Sequence, residues 1–304
     1  MKFIEPSVEL WKQGDTIEDI WKHIARCVRV CYQSTPKNEN ESEEAFVKRV
    51  ILRNEPMWSQ ANHLAMLEHG TIYLKIPKDN DDAYHYGFDR FSRVTEETGG
   101  KYEYITTNLR VIVERQYESD LQYLCEPTPY HDRRYTFCFT TNIGVSREFN
   151  RHRVNSIAEE STRFCNYSKD KFDKQITYGL SEWLLGAKET IEYYSPTLHD
   201  LCQDIYQQNE LIDENWADLD YYMFALNACE FAYNGLIKKG WLPQQAREVL
   251  PLATKTQLVH TAFEDDWKYF IALRSDGVSG KPHPNAKILA DKVAEILTKL
   301  REVK

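Results

Sequence analysis

The chain lacks the patterns that hold a metal ion or a disulfide framework. Its seven cysteines, Cys27, Cys31, Cys125, Cys138, Cys165, Cys202 and Cys229, are odd in number and include no C-x-x-C pair. Cys27 and Cys31 stand four apart, but no second pair or histidine cluster completes a zinc set. Free thiols in a reducing compartment are the expectation. Long apolar runs are missing as well, none approaching the ~20 residues that a bilayer requires. The opening Met1-Lys2-Phe3-Ile4-Glu5-Pro6 lacks the apolar core of a secretion signal. These absences predict a cytoplasmic protein with no metal and no membrane partner. Positive charge is also short: 38 Lys and Arg against 47 Asp and Glu give a net charge of −9, which argues against nucleic acid as the main ligand. Internal repeats and low-complexity tracts are absent.

Against this acidic background one stretch concentrates cations. Arg147, Arg151, Arg153 and Arg163 fall within seventeen residues, with His152 among them. Local cation on an acidic chain predicts an anion site. Arginine offers a planar fork of donors that suits phosphate and carboxylate oxygens. Ser161 adds a hydroxyl, and Glu159 and Glu160 add acceptors for sugar hydroxyls. The pattern describes a pocket for a phosphorylated, hydroxylated small molecule, most simply a nucleotide. Charge alone would equally describe a solvated face with ordinary salt bridges; the order of the residues decides between the two.

At 304 residues, 42% of them hydrophobic, the chain is long enough for one large domain or two smaller ones. Apolar spacing predicts helices over Thr16–Cys31, about Glu41–Arg53 with Asn40 as cap, Pro56 to about Leu67, Asn108–Tyr123 (where the run Val111-Ile112-Val113 keeps a strand open), Asp218–Lys239, Glu264–Arg274 and Pro284–Leu300. Alternation predicts strands over Thr71–Ile76 and around Tyr135, Phe137 and Phe139. A short helix near Val145 follows. A return strand is expected over 165–169 and 176–178. Residues 77–105 are polar and read as an insertion or flap. The expected fold is α/β (α+β): a central mixed or antiparallel sheet flanked by helices, with a largely helical C-terminal half beginning at Glu182.

Arg151-His152-Arg153, a seven-residue gap, Ser161, then Thr162-Arg163-Phe164 closely resembles the signature of the flavin-dependent thymidylate synthases, the thymidylate synthase complementing proteins. Three further blocks are similar to that family and lie in its order: His63 with Glu68-His69, Ala246-Arg247 with Val249-Leu250-Pro251, and Phe270 with Leu273-Arg274. The resemblance implies a single domain over 1–304 with an insertion around 77–130. It implies methylation of dUMP to dTMP, with FAD as cofactor, 5,10-methylenetetrahydrofolate as carbon donor and NADPH as reductant. It further implies a homotetramer whose active sites draw on several subunits, and no cysteine attack on the pyrimidine. By position, Ser161, Thr162, Arg163 and Arg247 would surround the dUMP phosphate. Glu148, Arg151 and Glu160 would also face the substrate. Arg274 would meet the uracil ring as the catalytic group. His63, Glu68, Arg151, His152, Arg153, Val154, Glu159 and Tyr269 would face the flavin.

The chain departs from the family at several positions. Ala65 and Cys31 stand where small hydroxyl residues are usual, and Glu148 where glutamine is. The segment before Arg274 usually gives the flavin an asparagine and an arginine, but here reads Phe263-Glu264-Asp265-Asp266, with Tyr269 replacing another asparagine. Asp265 beside a diphosphate would require an intervening cation. These departures keep two alternatives open. One is a related flavin enzyme acting on another pyrimidine nucleotide such as dCMP, or adding a hydroxymethyl group. The other is a non-catalytic nucleotide- or flavin-binding protein.

Overall fold

The computed structural model describes residues 1–52, 56–59, 62–79, 81–187 and 216–302. Its strands are β1 (Lys2–Ile4), β2 (Ser7–Trp11), β3 (Thr71–Pro77), β4 (Arg93–Glu96), β5 (Tyr102–Asn108), β6 (Arg134–Asn142), β7 (Ser156–Glu159), β8 (Thr177–Gly179) and β9 (Lys255–Phe263). Its main helices are α1 (Ile17–Tyr32), α2 (Glu43–Ile51), α3 (Leu109–Arg115), α4 (Ile143–Phe149), α5 (Asp218–Lys238), α6 (Glu264–Ile271) and α7 (Pro284–Glu302). The fold is mixed α/β, as the sequence predicts. Among the described residues the strands form three small sheets: β1-β8, β2-β6-β9-β7 and β3-β5-β4.

The chain divides into two compact units. The first comprises Met1–Ser7, Thr140–Glu148 and Ser161–Thr256; the second comprises Val8–Phe139, Phe149–Glu160 and Gln257–Lys304.

In the first unit β1 and β8 pair in parallel, from Lys2↔Thr177 to Ile4↔Gly179. Glycine suits position 179, because a Cβ there would lie 3.1 Å from the backbone of Thr141 and Asn142 and would force that backbone to shift. Tyr167, Ile176 and Tyr178 pack with Leu226 and Tyr233 of α5. That helix ends where expected, with Gly240 at φ +92°, a conformation glycine takes without steric cost. Its face is only partly covered: Met223 and Leu226 are buried, while Tyr221 and Phe231 are exposed.

In the second unit α1 buries Ile20, Trp21, Ile24, Cys27 and Val28, the stripe its helical spacing predicts. Thr16 caps it by accepting a hydrogen bond from the Asp19 amide. This face joins α2 and β3 in the main core.

Local polar groups override several sequence expectations. Ser42, not Asn40, caps α2, accepting from Ala45 N at 3.2 Å. Asn38 has already turned the chain by accepting from Asn40 N. The helix expected from Pro56 to Leu67 is not continuous, and only a 3-10 helix over Leu64–His69 forms. Asn62 donates to the carbonyls of Pro56 and Met57, which competes with helical pairing. The helix expected over Asn108–Tyr123 stops at Gln116, whose φ is 60°, and resumes as a 3-10 turn over Glu118–Tyr123. Residues 93–108 are not a flap: β5 pairs with β3 across seven residues, burying Tyr104, Ile105, Thr106 and Thr107. The return strand shrinks to β8, residues 165–169 forming turns. The helical start at Glu182 is a 3-10 turn over Glu182–Ala187, and its continuation to Tyr194 lies outside the described residues, as does Cys202.

Candidate functional site

The chain leaves α4 at Phe149 and tightens at once. His152 N donates to Phe149 O at 3.0 Å, Arg153 N to Arg151 O at 3.0 Å, and Asn155 N to His152 O at 3.1 Å. β7 then begins at Ser156, held in register opposite Thr261 of β9. Such a turn cannot face three consecutive side chains the same way. It buries His152, 5% exposed, and leaves Arg151 and Arg153 in solvent.

His152 enters an aromatic nest. Its ring lies 4.8 Å from Phe270 and 6.2 Å from Tyr269. Phe270 in turn meets Phe149 at 4.9 Å and Trp267 at 5.3 Å. α6 carries these rings and continues as a π-helical turn over Ala272–Asp276. Turns of that kind are frequent at functional sites. This one carries Arg274, whose Nε donates to His152 Nε2 at 3.0 Å. A guanidinium only donates, so His152 Nε2 is an acceptor and the imidazole is neutral. Burial, reinforced by the Arg274 charge, pushes the imidazole down to about 4.

Arg153 and Val154 line a cavity of about 250 Å³ together with Arg90, Phe91, Arg93, Arg134, Ser156, Phe263 and Asp266. The cation that Asp265 requires is present: Arg93 reaches Asp265 at 3.4 Å, Asp266 at 3.9 Å and Asp132 at 3.8 Å, with its guanidinium 4.0 Å over the Phe263 ring. Lys268 adds a second, 2.8 Å from Asp265, and holds that carboxyl below its usual range. Asp266 shifts the other way, raised by burial. This donor set suits a phosphate-bearing cofactor with an aromatic ring, which is what a flavin nucleotide presents.

The remaining flavin-facing candidates of the second unit spread further. Glu68 pairs with Arg110 at 2.5 Å, and its carbonyl accepts from Arg134 at 3.1 Å. His63 is exposed and hydrogen-bonds Tyr32 at 2.9 Å. His69 is sealed in the core against Thr261 at 2.8 Å, so its block is half structural. Glu159 accepts from Asn150 at 2.9 Å. Glu160 is buried, its amide bonded to Gln257 O at 2.8 Å.

The phosphate-facing candidates fall in the first unit. The chain turns at Ser161, whose carbonyl accepts from the amides of Phe164 and Cys165 at 3.0 and 3.1 Å. This exposes Arg163, which lies 5.5 Å over the Phe164 ring. Arg247 Nη1 donates to Thr162 Oγ1 at 3.1 Å, joining two blocks 85 residues apart. Glu148, half-buried on α4, belongs to the same unit.

Sequence reasoning missed Arg90, Arg93 and Arg134. Arg134 opens β6 and was visible only as part of the Arg133-Arg134 pair before a strand. Arg90 and Arg93 lie in the 77–105 segment, where no spacing marked them. Among the described residues no cluster of histidine, cysteine or carboxylate side chains could hold a metal, and no helix is long and apolar enough to cross a membrane.

No curated protein matches the chain. Two solved structures of a UMP/dUMP methylase, PolB from Streptomyces cacaoi, are similar over 99% of this chain. The one bound with 5-Br UMP has 13% identity and a TM-score of 0.42 and is covered over 92% of its length. The one bound with 5-Br dUMP has 15% identity and a TM-score of 0.44 and is covered over 93%. The sequence profile described as thymidylate synthase complementing protein matches residues 120–301, more than half of the chain and a span that includes Arg151, Arg153, Arg163, Arg247 and Arg274. The chain therefore belongs to the thymidylate synthase complementing protein family, a family of nucleotide methyltransferases.

Proposed function

We propose that the protein converts dUMP to dTMP, with FAD as its redox cofactor, methylenetetrahydrofolate as carbon donor and NADPH as reductant. Family membership supports this reading. The observation that carries it is the pairing of Arg274 with a neutral His152.

Replacing the C5 hydrogen of uracil by methyl needs a one-carbon unit and a hydride. No side chain supplies a hydride; reduced FAD does when bound. The protein's own residues bind and polarise. Arg274 keeps its charge and offers a fork of donors to the pyrimidine ring, where it stabilises the negative charge that makes C5 nucleophilic. His152 fixes the direction of that fork, and because it stays neutral it does not repel it. With Nε committed to His152, a bidentate contact to the ring uses the two Nη groups.

Ser161, Arg163 and Arg247 hold the phosphate in this reading, with Thr162 orienting Arg247. Glu148, Arg151, Glu159 and Glu160 face the sugar and base. His63, Glu68, Arg153, Val154 and Tyr269 seat the flavin beside His152. The reading uses no cysteine as nucleophile: among the described residues Cys27, Cys138 and Cys165 are buried, burial raises the Cys125 and Cys229 thiols, and it pushes the Cys31 thiol up to about 11. Exposed Tyr221 and Phe231 on α5 suit a subunit contact, as a homotetramer requires.

The test is incubation of the purified protein with FAD, NADPH, methylenetetrahydrofolate and either dUMP or dCMP, with the product identified by mass. Appearance of dTMP from dUMP is expected. Methylated or hydroxymethylated dCMP would move the reading to the other pyrimidine, and a protein that neither binds FAD nor oxidises NADPH would end it.

A further inference from the structure

Arg134 is a half-buried cation whose hydrogen-bond acceptors are all neutral. Its Nη1 donates to Thr71 Oγ1 at 3.2 Å and Thr107 O at 3.5 Å, and its Nη2 to Glu68 O at 3.1 Å and Ser156 Oγ at 3.4 Å. Its Nε is sealed from solvent and has no partner. A buried charge normally finds an opposite charge, because removal from water is otherwise costly. Here burial depresses the guanidinium to about 10, an effect that Tyr73 and the carboxylates of Glu68 and Asp266 offset only in part.

What Arg134 faces explains the arrangement. It lines the cavity shared with Arg90, Arg93 and Arg153, in which Asp266 is the one carboxylate. Arg93 bridges Asp266, Asp265 and Asp132, and Lys268 supplies Asp265 with a second cation. Arg90 and Arg153 are exposed and have no carboxylate partner among the described residues; Arg90 lies 4.5 Å over Phe91. Four guanidiniums around one carboxylate leave an excess of positive charge in about 250 Å³. Two of them also flank the Phe263 ring, Arg93 at 4.0 Å and Arg134 at 5.5 Å.

We infer that this cavity is a binding site for a phosphate or diphosphate group, with Arg134 as its anchor and Arg90 and Arg93 as cations supplied by a segment outside the family's motifs. The inference rests on the nucleotide-enzyme reading and deepens it. Two ligands of that enzyme carry the required chemistry: the diphosphate of FAD and the 2′-phosphate of NADPH. The site substitutes for the asparagine and arginine missing from 263–269, where Phe263, Asp265 and Asp266 stand instead.

Pyrophosphate is the probe. Its binding to the full-length protein is measured by calorimetry at low and high salt, for the wild type, Arg90→Ala and Arg134→Gln. The same proteins are titrated with FAD, riboflavin, NADPH and NADH. The wild type should bind pyrophosphate, more weakly as salt rises. Each variant should lose roughly tenfold or more of that affinity while binding riboflavin as before. A parallel loss for FAD names the flavin diphosphate as the occupant; a loss for NADPH but not NADH names the 2′-phosphate. Arg90 is exposed, so its variant holds the test even if Arg134→Gln fails to fold. A wild type indifferent to pyrophosphate overturns the site, as does an Arg90→Ala protein that binds pyrophosphate, FAD and NADPH unchanged. A wild type that binds pyrophosphate through these arginines yet forms no dTMP defeats the catalytic reading and leaves this one standing.

Discussion

Arg274 and His152, 122 residues apart, meet through a single hydrogen bond of 3.0 Å in which the guanidinium donates and the imidazole accepts. The bond is directional. It ties the π-helical turn after α6 to the turn between α4 and β7, and it requires an uncharged histidine. Arg274→Ala should lower dTMP formation by about 10²–10³-fold or more while leaving much of the flavin bound. His152→Ala should cause a smaller loss, seen mainly in kcat, because Arg274 remains but is no longer aimed. Steady-state kinetics with dUMP as the varied substrate separate the two. Normal turnover by Arg274→Ala would remove it from the site.

The second unit hides five histidines from protons, His23, His69, His131, His152 and His260. Burial holds His23 and His152 at about 4 and His260 at about 3, and drives His69 well below its usual value. His23 and His69 end a buried chain of hydrogen bonds through Thr136 and Thr261, with links of 3.1, 2.7 and 2.8 Å. In the unfolded chain these imidazoles take up protons near pH 6.5, whereas in the folded protein they stay neutral to much lower pH. Between those limits the unfolded state binds more protons, so stability is complete above pH 6.5 and falls as pH drops toward 4. Each group contributes a slope of at most about 1.4 kcal/mol per pH unit in that window. Urea midpoints across pH 4–7.5 should show a steep acid loss, reduced in His23→Gln. A midpoint independent of pH down to 4.5 would show that these groups titrate normally.

The parts of the molecule legible from sequence were those with strong local signals. α5 was predicted over Asp218–Lys239 and runs Asp218–Lys238, because its apolar spacing and Gly240 bound it at both ends. His152 and Arg274 stand in two separate blocks that resemble the family, and sequence could not show which residue of Arg151-His152-Arg153 turns inward. That choice belongs to a three-residue turn and to β7–β9 pairing. The 56–67 helix failed because Asn62 spends its amide on the preceding carbonyls. The arginine cavity was illegible for a different reason. Arg93 opens β4 and Arg134 opens β6, strands of two different sheets, and no periodicity records that they line one cavity with Arg90.

Phe270 links the core to the site. It is fully buried and lies 4.9 Å from Phe149 and 4.8 Å from the His152 ring. Phe270→Ala should cost about 3–5 kcal/mol of stability, from lost burial and the cavity left behind. It should also impair turnover, since His152 loses its support. A denaturant midpoint close to wild type would place this ring outside the cooperative core.

Cysteine chemistry should be dispensable. Cys31 is held near 11 and Cys27 is pushed higher still by burial, so neither is a thiolate at neutral pH. Cys31→Ser should retain dTMP formation, and brief iodoacetamide treatment of the native protein should leave activity intact. Stoichiometric inactivation with alkylation at Cys31 would contradict a mechanism without an enzyme nucleophile.

The central claim is that the enzyme activates and methylates the C5 position of a bound uracil nucleotide. The most direct measurement is tritium release from [5-³H]dUMP by the FAD-loaded protein with NADPH and methylenetetrahydrofolate, compared with Arg274→Ala. The account predicts tritium in water together with dTMP from the wild type, and neither from the variant. A flavin-loaded wild type that retains all tritium on dUMP and forms no dTMP would contradict it.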